Sequence, residues 1–177
     1  MSSQFLSELD DHITVMKMVR ELEGVVEQLG EQWLNALNNG GKILLMGNGG
    51  SAADAQQIAA ELVGRYMCER KGLAAIALTT DTSILTAVGN DYGYDAIFSR
   101  QIEALASPQD IIVAYSTSGS SSNVLAAVKT AKTMGCFTSA LTGESGGQLK
   151  AVVDTCICVP SPSTPRIQEA HAFIGHM

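Results

Sequence analysis

Positive charge is scarce in this sequence: 11 lysines and arginines stand against 18 aspartates and glutamates in 177 residues, a formal charge of −7. A surface of that sign repels nucleic-acid backbones and anionic membranes, so neither is an expected partner. Long apolar runs are missing too, which excludes a membrane-spanning helix. The first residues, MSSQFLSELDDH, are acidic and lack the basic-then-apolar order of a secretion signal. The four cysteines, Cys68, Cys136, Cys156 and Cys158, show no metal-ligand spacing. Cys156 and Cys158 flank Ile157 in a strand-like pattern where cysteine acts as a small hydrophobe, so reduced thiols and a cytoplasmic location are expected. No repeat or low-complexity linker interrupts the chain. Charged residues make up only 16%, against 46% hydrophobic, which excludes a disordered chain.

What remains is one domain long enough to bury a core. Residues 2–38 carry apolar positions at helical spacing, among them Leu6, Leu9, Ile13, Met16 and Val19, then Val25, Val26, Leu29, Trp33 and Leu37. Asn38-Asn39-Gly40-Gly41 ends this segment. A helical lead-in of that kind, residues 1–40, is expected to lie in an oligomer interface. Beyond it, short apolar runs at Lys42–Met46, Leu73–Leu78, Asp110–Tyr115, Cys136–Leu141 and Thr155–Val159 alternate with helical stretches at Ala52–Tyr66, Ser83–Ala106, Ser121–Thr133 and Gly147–Val152. Continuous apolar strands are buried on both faces, and strand–helix alternation predicts an α/β fold: a five-stranded parallel sheet flanked by helices, in a single domain over 1–177. Ligands bind such sheets beyond the carboxyl ends of the strands.

The loop after the first run reads Gly47-Asn48-Gly49-Gly50-Ser51-Ala52. Its glycines allow a close backbone approach, and the helix that follows points its free N–H groups and dipole at the same space, which makes an anion site. Gly47, Gly49 and Ala52 also fit the dinucleotide pattern G-x-G-x-x-A. That alternative calls for an acidic residue roughly 20 positions on; Asp81 stands farther away, behind Thr79-Thr80. The loop after the third run, Ser116-Thr117-Ser118-Gly119-Ser120-Ser121-Ser122-Asn123, clusters hydroxyl donors at a helix start. It has no lysine, and the triphosphate-binding pattern G-x-x-x-x-G-K-[ST] is absent. A single phosphate held by hydroxyls and backbone amides fits these loops.

GNGGSAADAQ at 47–56, AVGNDYG at 87–93, STSGSS at 116–121 and TPRIQEAHAFIGH at 164–176 resemble, in this order, the sugar-phosphate-isomerase (SIS) domain of the phosphoheptose isomerases. The likeness runs from the early helices to the last residue. It implies an aldose–ketose isomerase that converts D-sedoheptulose 7-phosphate to D-glycero-D-manno-heptose 7-phosphate through an enediolate, for bacterial surface heptose and lipopolysaccharide synthesis. It further implies that Asn48, Gly49, Gly50 and Ser51 contact substrate and that Asn90 and Asp91 meet sugar hydroxyls. Ser116, Thr117, Ser118 and Ser121 would hold the phosphate, and Glu61, Gln168 and His176 would stand at the reacting carbons. A homotetramer with shared active sites and a bound zinc belong to the same expectation, with metal positions 57, 61, 168 and 176. A second reading from the same resemblance is a non-catalytic SIS protein of the replication-initiator-binding type. Those relatives keep the phosphate loops but tend to lose the glutamate that this chain has as Glu61.

Moving a carbonyl between neighbouring carbons needs a base at the carbon and an acid at the oxygen. Glu61 lies ten residues past Ser51 on one predicted helix, a rise of about 15 Å, which places it at the far end of a bound sugar as the general base. His176 is the general acid by family position. Gln168 and His176 are eight residues apart, about 12 Å along a helix, so either Gln168 precedes the helix or the ligands come from different subunits. The family usually has histidine where this chain has Gln57, in i, i+4 relation to Glu61. An amide is a poorer zinc ligand than imidazole, so weakened or absent zinc and reduced activity are expected. The sequence ends one residue after His176, where relatives usually continue the last helix, and a frayed, poorly placed His176 is expected from that.

Overall fold

Ile43, Leu44, Leu45 and Met46 are completely buried, although neighbours along a strand point to opposite faces. Ile43 and Leu45 enter one apolar cluster, while Leu44 and Met46 enter another on the far side of the sheet. Burial on both faces requires helices on both faces, and the computed structural model, which describes residues 3–177, has them. Five parallel strands, β1 (Ile43–Gly47), β2 (Ala75–Ala77), β3 (Ile111–Ser116), β4 (Phe137–Thr142) and β5 (Thr155–Cys158), stand in the order β2-β1-β3-β4-β5. Helices α1 (Gln4–Val19), α2 (Glu23–Asn38), α3 (Gly50–Val63) and α7 (Thr164–His176) serve the first cluster. Helices α5 (Ser99–Leu105) and α6 (Ser122–Thr133) serve the second, with Leu85 and Val88 of α4 (Thr82–Tyr92) packed against it. The predicted fold class is therefore the observed one.

Three expectations need correction in detail. The lead-in is helical over its described length, but a 3-10 turn at Arg20–Leu22 joins α1 to α2; residue 2 lies outside the described residues. The stretch Ser83–Ala106 is not one helix. Its backbone leaves α4 at Gly93, with φ +87°, a conformation that favours glycine, and passes through a 3-10 turn before α5. Gly147–Val152 contains only a 3-10 turn, Leu149–Ala151.

The last helix closes the structure. Ser163 precedes it and Pro165 occupies its first turn, where a missing N–H costs nothing. His12 of α1 meets Glu169 at 2.7 Å, and Arg166 bonds both Glu169 (2.5 Å) and the carbonyl of Glu8. On the inner face His171 is fully buried, its Nε2–H donating to the Thr142 carbonyl at 3.2 Å. Burial lowers the imidazole pKa from 6.5 to about 4, although the carbonyl hydrogen bond works in the opposite direction. The folded chain thus binds fewer protons at His171 than the unfolded chain. The stability contribution is intact above pH 6.5 and lost as pH falls through the interval to 4. Its full extent is on the order of 3 kcal/mol. In thermal melts, the advantage of the native chain over His171→Gln should shrink as the pH falls from 6.5 to 4; an advantage independent of pH would contradict this.

Candidate functional site

Between β1 and β3 the strand order reverses: the chain steps outward from β1 to β2, then returns past β1 to β3. Connections leaving β1 and β3 therefore run over opposite faces of the sheet and open a crevice at their carboxyl ends. The two loops singled out by composition are those that leave these two strands. Gly49 adopts φ +58° at the start of α3, and its carbonyl accepts from Ala52 N and Ala53 N while the Asn48 carbonyl accepts from Ser51 N. Across the crevice, the serines after β3 converge. Ser116 Oγ lies 3.1 Å from Ser121 Oγ and 3.5 Å from Ser118 Oγ, and Ser118 Oγ accepts from Ser120 N at 3.2 Å. Ser51 and Ser116 are buried, whereas Thr117 and Ser121 are half-buried and Ser118 is exposed.

The two turns are tied together by an amide pair that composition did not reveal. Asn48 Nδ2 donates to Asn123 Oδ1 at 2.9 Å, and Asn123 Nδ2 donates back to Asn48 Oδ1 at 2.8 Å. Asn123 Oδ1 also accepts from Val124 N (2.9 Å), and Tyr94 donates its hydroxyl proton to Asn48 Oδ1 at 3.1 Å. Asn123 is buried in the first turn of α6. Its sequence signal was the last letter of the serine loop, and nothing marked it as the partner of Asn48. A solvent-open cleft of about 330 Å³ lies on the Asn48 side of this junction, bounded by Asn48, Gly49, Thr79, Tyr94 and Phe98, with no residue of the serine turn in its lining. Asn90 and Asp91 are at the exposed end of α4, where Asn90 Nδ2 donates to Asp91 Oδ1 at 2.8 Å. They reach neither turn by hydrogen bond; Tyr94 makes that link for their segment.

Every donor at the crevice is neutral. Among the described residues, no lysine or arginine side chain hydrogen-bonds to either turn. Two helix N-termini and a ring of hydroxyls must supply the field for an anion.

The other end of α3 carries the titratable groups. Helix α7 runs beside α3 in the same direction. The Gln168 side chain lies against Gly50, where a Cβ would collide with it, and His176 lies against Gln57, eight residues further along α7. Gln57 Nε2 is 3.0 Å from His176 Nε2, and the ring of Tyr66 stacks on the imidazole at 5.2 Å between centroids. The expectation of a frayed, poorly placed His176 is thus corrected: two side chains hold the ring. The suggestion that Gln168 precedes the helix is corrected as well, since Gln168 lies within α7. Glu61 is one turn beyond Gln57 on the same face of α3. One chain thus gathers Gln57 and His176, with Glu61 one turn beyond Gln57, and leaves Gln168 at the Gly50 end. Asp54, unmarked in the sequence, is also on α3; its Oδ2 is buried without a partner, and burial pushes its pKa up to about 6.

Comparison with known proteins places the chain in a family. Residues 5–143 match the family described as the SIS domain. The chain is 54% identical over its whole length to the phosphoheptose isomerase of Geobacter metallireducens, covering 94% of that protein. It is 53% identical, again over its whole length, to that of Geotalea daltonii, covering 93%. Its fold is similar to the phosphoheptose isomerase structure from Neisseria gonorrhoeae, with TM-score 0.93, 45% identity and coverage of 98% and 93% of the two chains. Asn123→Ala, which removes the amide pair between the turns, should weaken binding of inorganic phosphate roughly tenfold in calorimetric titration. Unchanged affinity would show that the turns hold their geometry independently.

Proposed function

This chain belongs to the SIS-domain family and, within it, to the phosphoheptose isomerases, and from that premise we propose how its own residues divide the work. The enzyme interconverts D-sedoheptulose 7-phosphate and D-glycero-D-manno-heptose 7-phosphate in the synthesis of surface heptose. The ester phosphate is held in the crevice between β1 and β3 by Ser51, Ser116, Thr117, Ser118 and Ser121, with Asn48, Gly49 and Gly50 forming the wall of backbone and amide groups. Asn90 and Asp91 meet sugar hydroxyls. The sugar then extends along the α3–α7 seam toward Glu61, whose side chain leans back toward the helix N-terminus as helical side chains do. The observation that carries this assignment is that seam: one pair of parallel helices has a glycine-rich turn at its start and, toward its end, the Gln57–His176 contact with Glu61 one helical turn further along α3.

In the ketose-to-aldose direction Glu61 takes a proton from C1, and the electron pair moves through a C1–C2 enediolate onto the C2 oxygen. His176 gives that oxygen a proton and receives the one on the C1 hydroxyl. Glu61 returns its proton to C2, so base and acid both end as they began. Gln168, beside Gly50, contacts the bound sugar rather than the proton-transfer pair.

Zinc, expected for the family, does not fit the donor set of one chain. Gln57 offers an amide where imidazole would bind more tightly, and its hydrogen bond with His176 engages the Nε2 atom a metal would need. Gln168 is too far along α7 to join His176 at one ion, and among the described residues no group of three or more His, Cys, Asp or Glu converges. Glu61 and His176 carry the proton transfer described above. Zinc affinity is reduced by Gln57, and any complete site draws ligands from a second subunit. A homotetramer with shared sites is supported by the apolar face of α1, where Phe5, Leu6, Leu9 and Ile13 are all exposed. A cytoplasmic location accords with reduced thiols: all four cysteines are free, and among the described residues no helix is long and apolar enough to cross a membrane. No observation favours the non-catalytic regulator, since Glu61 is present and full-length relatives carry the enzyme's name.

Glu61→Gln should lower kcat on sedoheptulose 7-phosphate by about 10³-fold while leaving phosphosugar affinity within about twofold; retained turnover would remove Glu61 from the chemistry. Metal analysis of purified protein should find more zinc in Gln57→His than in the native chain, and equal occupancy in both would refute the effect assigned to the amide.

A further inference from the structure

The carboxyl end of α3, the end that carries Glu61, should present unsatisfied carbonyls. One side chain takes two of the last four, those of Glu61 and Leu62. Arg70 Nη2 donates to the Glu61 carbonyl at 2.8 Å, and Nη1 lies 2.8 Å from the Leu62 carbonyl, 3.1 Å from that of Lys71 and 3.2 Å from that of Gly64. Gly64 N donates to the Ala60 carbonyl and Leu73 N joins Arg70 at that of Leu62, so three of the last four helix carbonyls are met. Among the described residues no carboxylate forms an ion pair with Arg70. Its charge faces the negative end of the helix dipole instead. Arg65, on the same loop, pairs with Glu69 in solvent.

The segment that Arg70 pins, residues 64–71, also carries Tyr66, the residue stacked on His176. We infer that Arg70 is a positioning residue for the isomerisation: one guanidinium fixes both the turn bearing the general base and the loop that supports the ring of the general acid. A planar fork suits this task, because several carbonyls diverging from a helix end can be met at once, whereas an ammonium on a flexible stem meets fewer of them. The phosphate turn, at the opposite end of α3, is left outside its reach. Arg70 thus acts on the chemical step and not on substrate capture.

The inference rests on Glu61 and His176 as base and acid, so Glu61→Gln is measured beside the Arg70 variants. Arg70→Gln and Arg70→Lys are assayed for turnover of sedoheptulose 7-phosphate, for affinity toward inorganic phosphate and for thermal midpoint. Expected is a fall in kcat of at least about tenfold in Arg70→Gln, a smaller fall in Arg70→Lys, and KM and phosphate affinity within about twofold of native in both. If Arg70→Gln does not fold, the lysine variant alone carries the test through the same split between kcat and KM. Native kcat in the Arg70 variants beside an inactive Glu61→Gln overturns the positioning role alone. So does a parallel loss of kcat and phosphate affinity, which would mean general loosening of the fold. Full turnover in Glu61→Gln overturns the assignment of the base, and the inference with it.

Discussion

The reversal of strand order between β1 and β3 is the constraint from which the site follows. It places two helix N-termini, those of α3 and α6, on either side of one crevice, so that their partial positive charges address the same volume. A protein with a net charge of −7 could not hold a phosphate ester by its general surface field. It concentrates neutral donors instead, and the reciprocal amide bonds between Asn48 and Asn123 fix the distance across which they act. Oriented dipoles that need not reorganise on binding stabilise an anion without a lysine or arginine at the turns.

The seam between α3 and α7 carries that anchor to the chemistry. Because the helices run in the same direction, contact at their starts (Gly50 with Gln168) implies contact further along (Gln57 with His176, and Ile58 with Gly175). A glycine at position 50 is needed for the first contact, since a Cβ there would meet the Gln168 amide. At the opposite end the same helix is closed by Arg70 and by the loop bearing Tyr66. In the proposed reading, phosphate capture and proton transfer thus occupy two ends of one rigid element. The buried imidazole of His171, bonded to the end of β4, holds α7 to the sheet between them.

The sheet and the positions of the two turns beyond β1 and β3 were legible in the sequence because each depends on local chemistry: apolar runs for strands buried on both faces, glycine where the backbone must bend, serine where hydroxyls must gather. The break after Tyr92 was missed because apolar periodicity continues across it, and only Gly93 marks the point where the chain turns. Asn123 and Arg70 were missed for another reason. Their partners, a side-chain amide 75 residues away and backbone carbonyls near the end of α3, leave no pattern in neighbouring residues. His176 looked poorly held because helix ends fray, yet Gln57 and Tyr66 supply tertiary contacts that local reasoning could not supply. Glu61 and His176 were named through resemblance to a family. Spacing alone placed Glu61 on the helix of the first turn but did not bring α7 beside it.

A crystal structure with sedoheptulose 7-phosphate bound addresses the central claim most directly. The phosphorus should lie between the turn at 49–51 and the turn at 116–121, its oxygens within hydrogen-bond distance of serine and threonine hydroxyls and backbone amides. An ester group seated away from both turns would contradict the account.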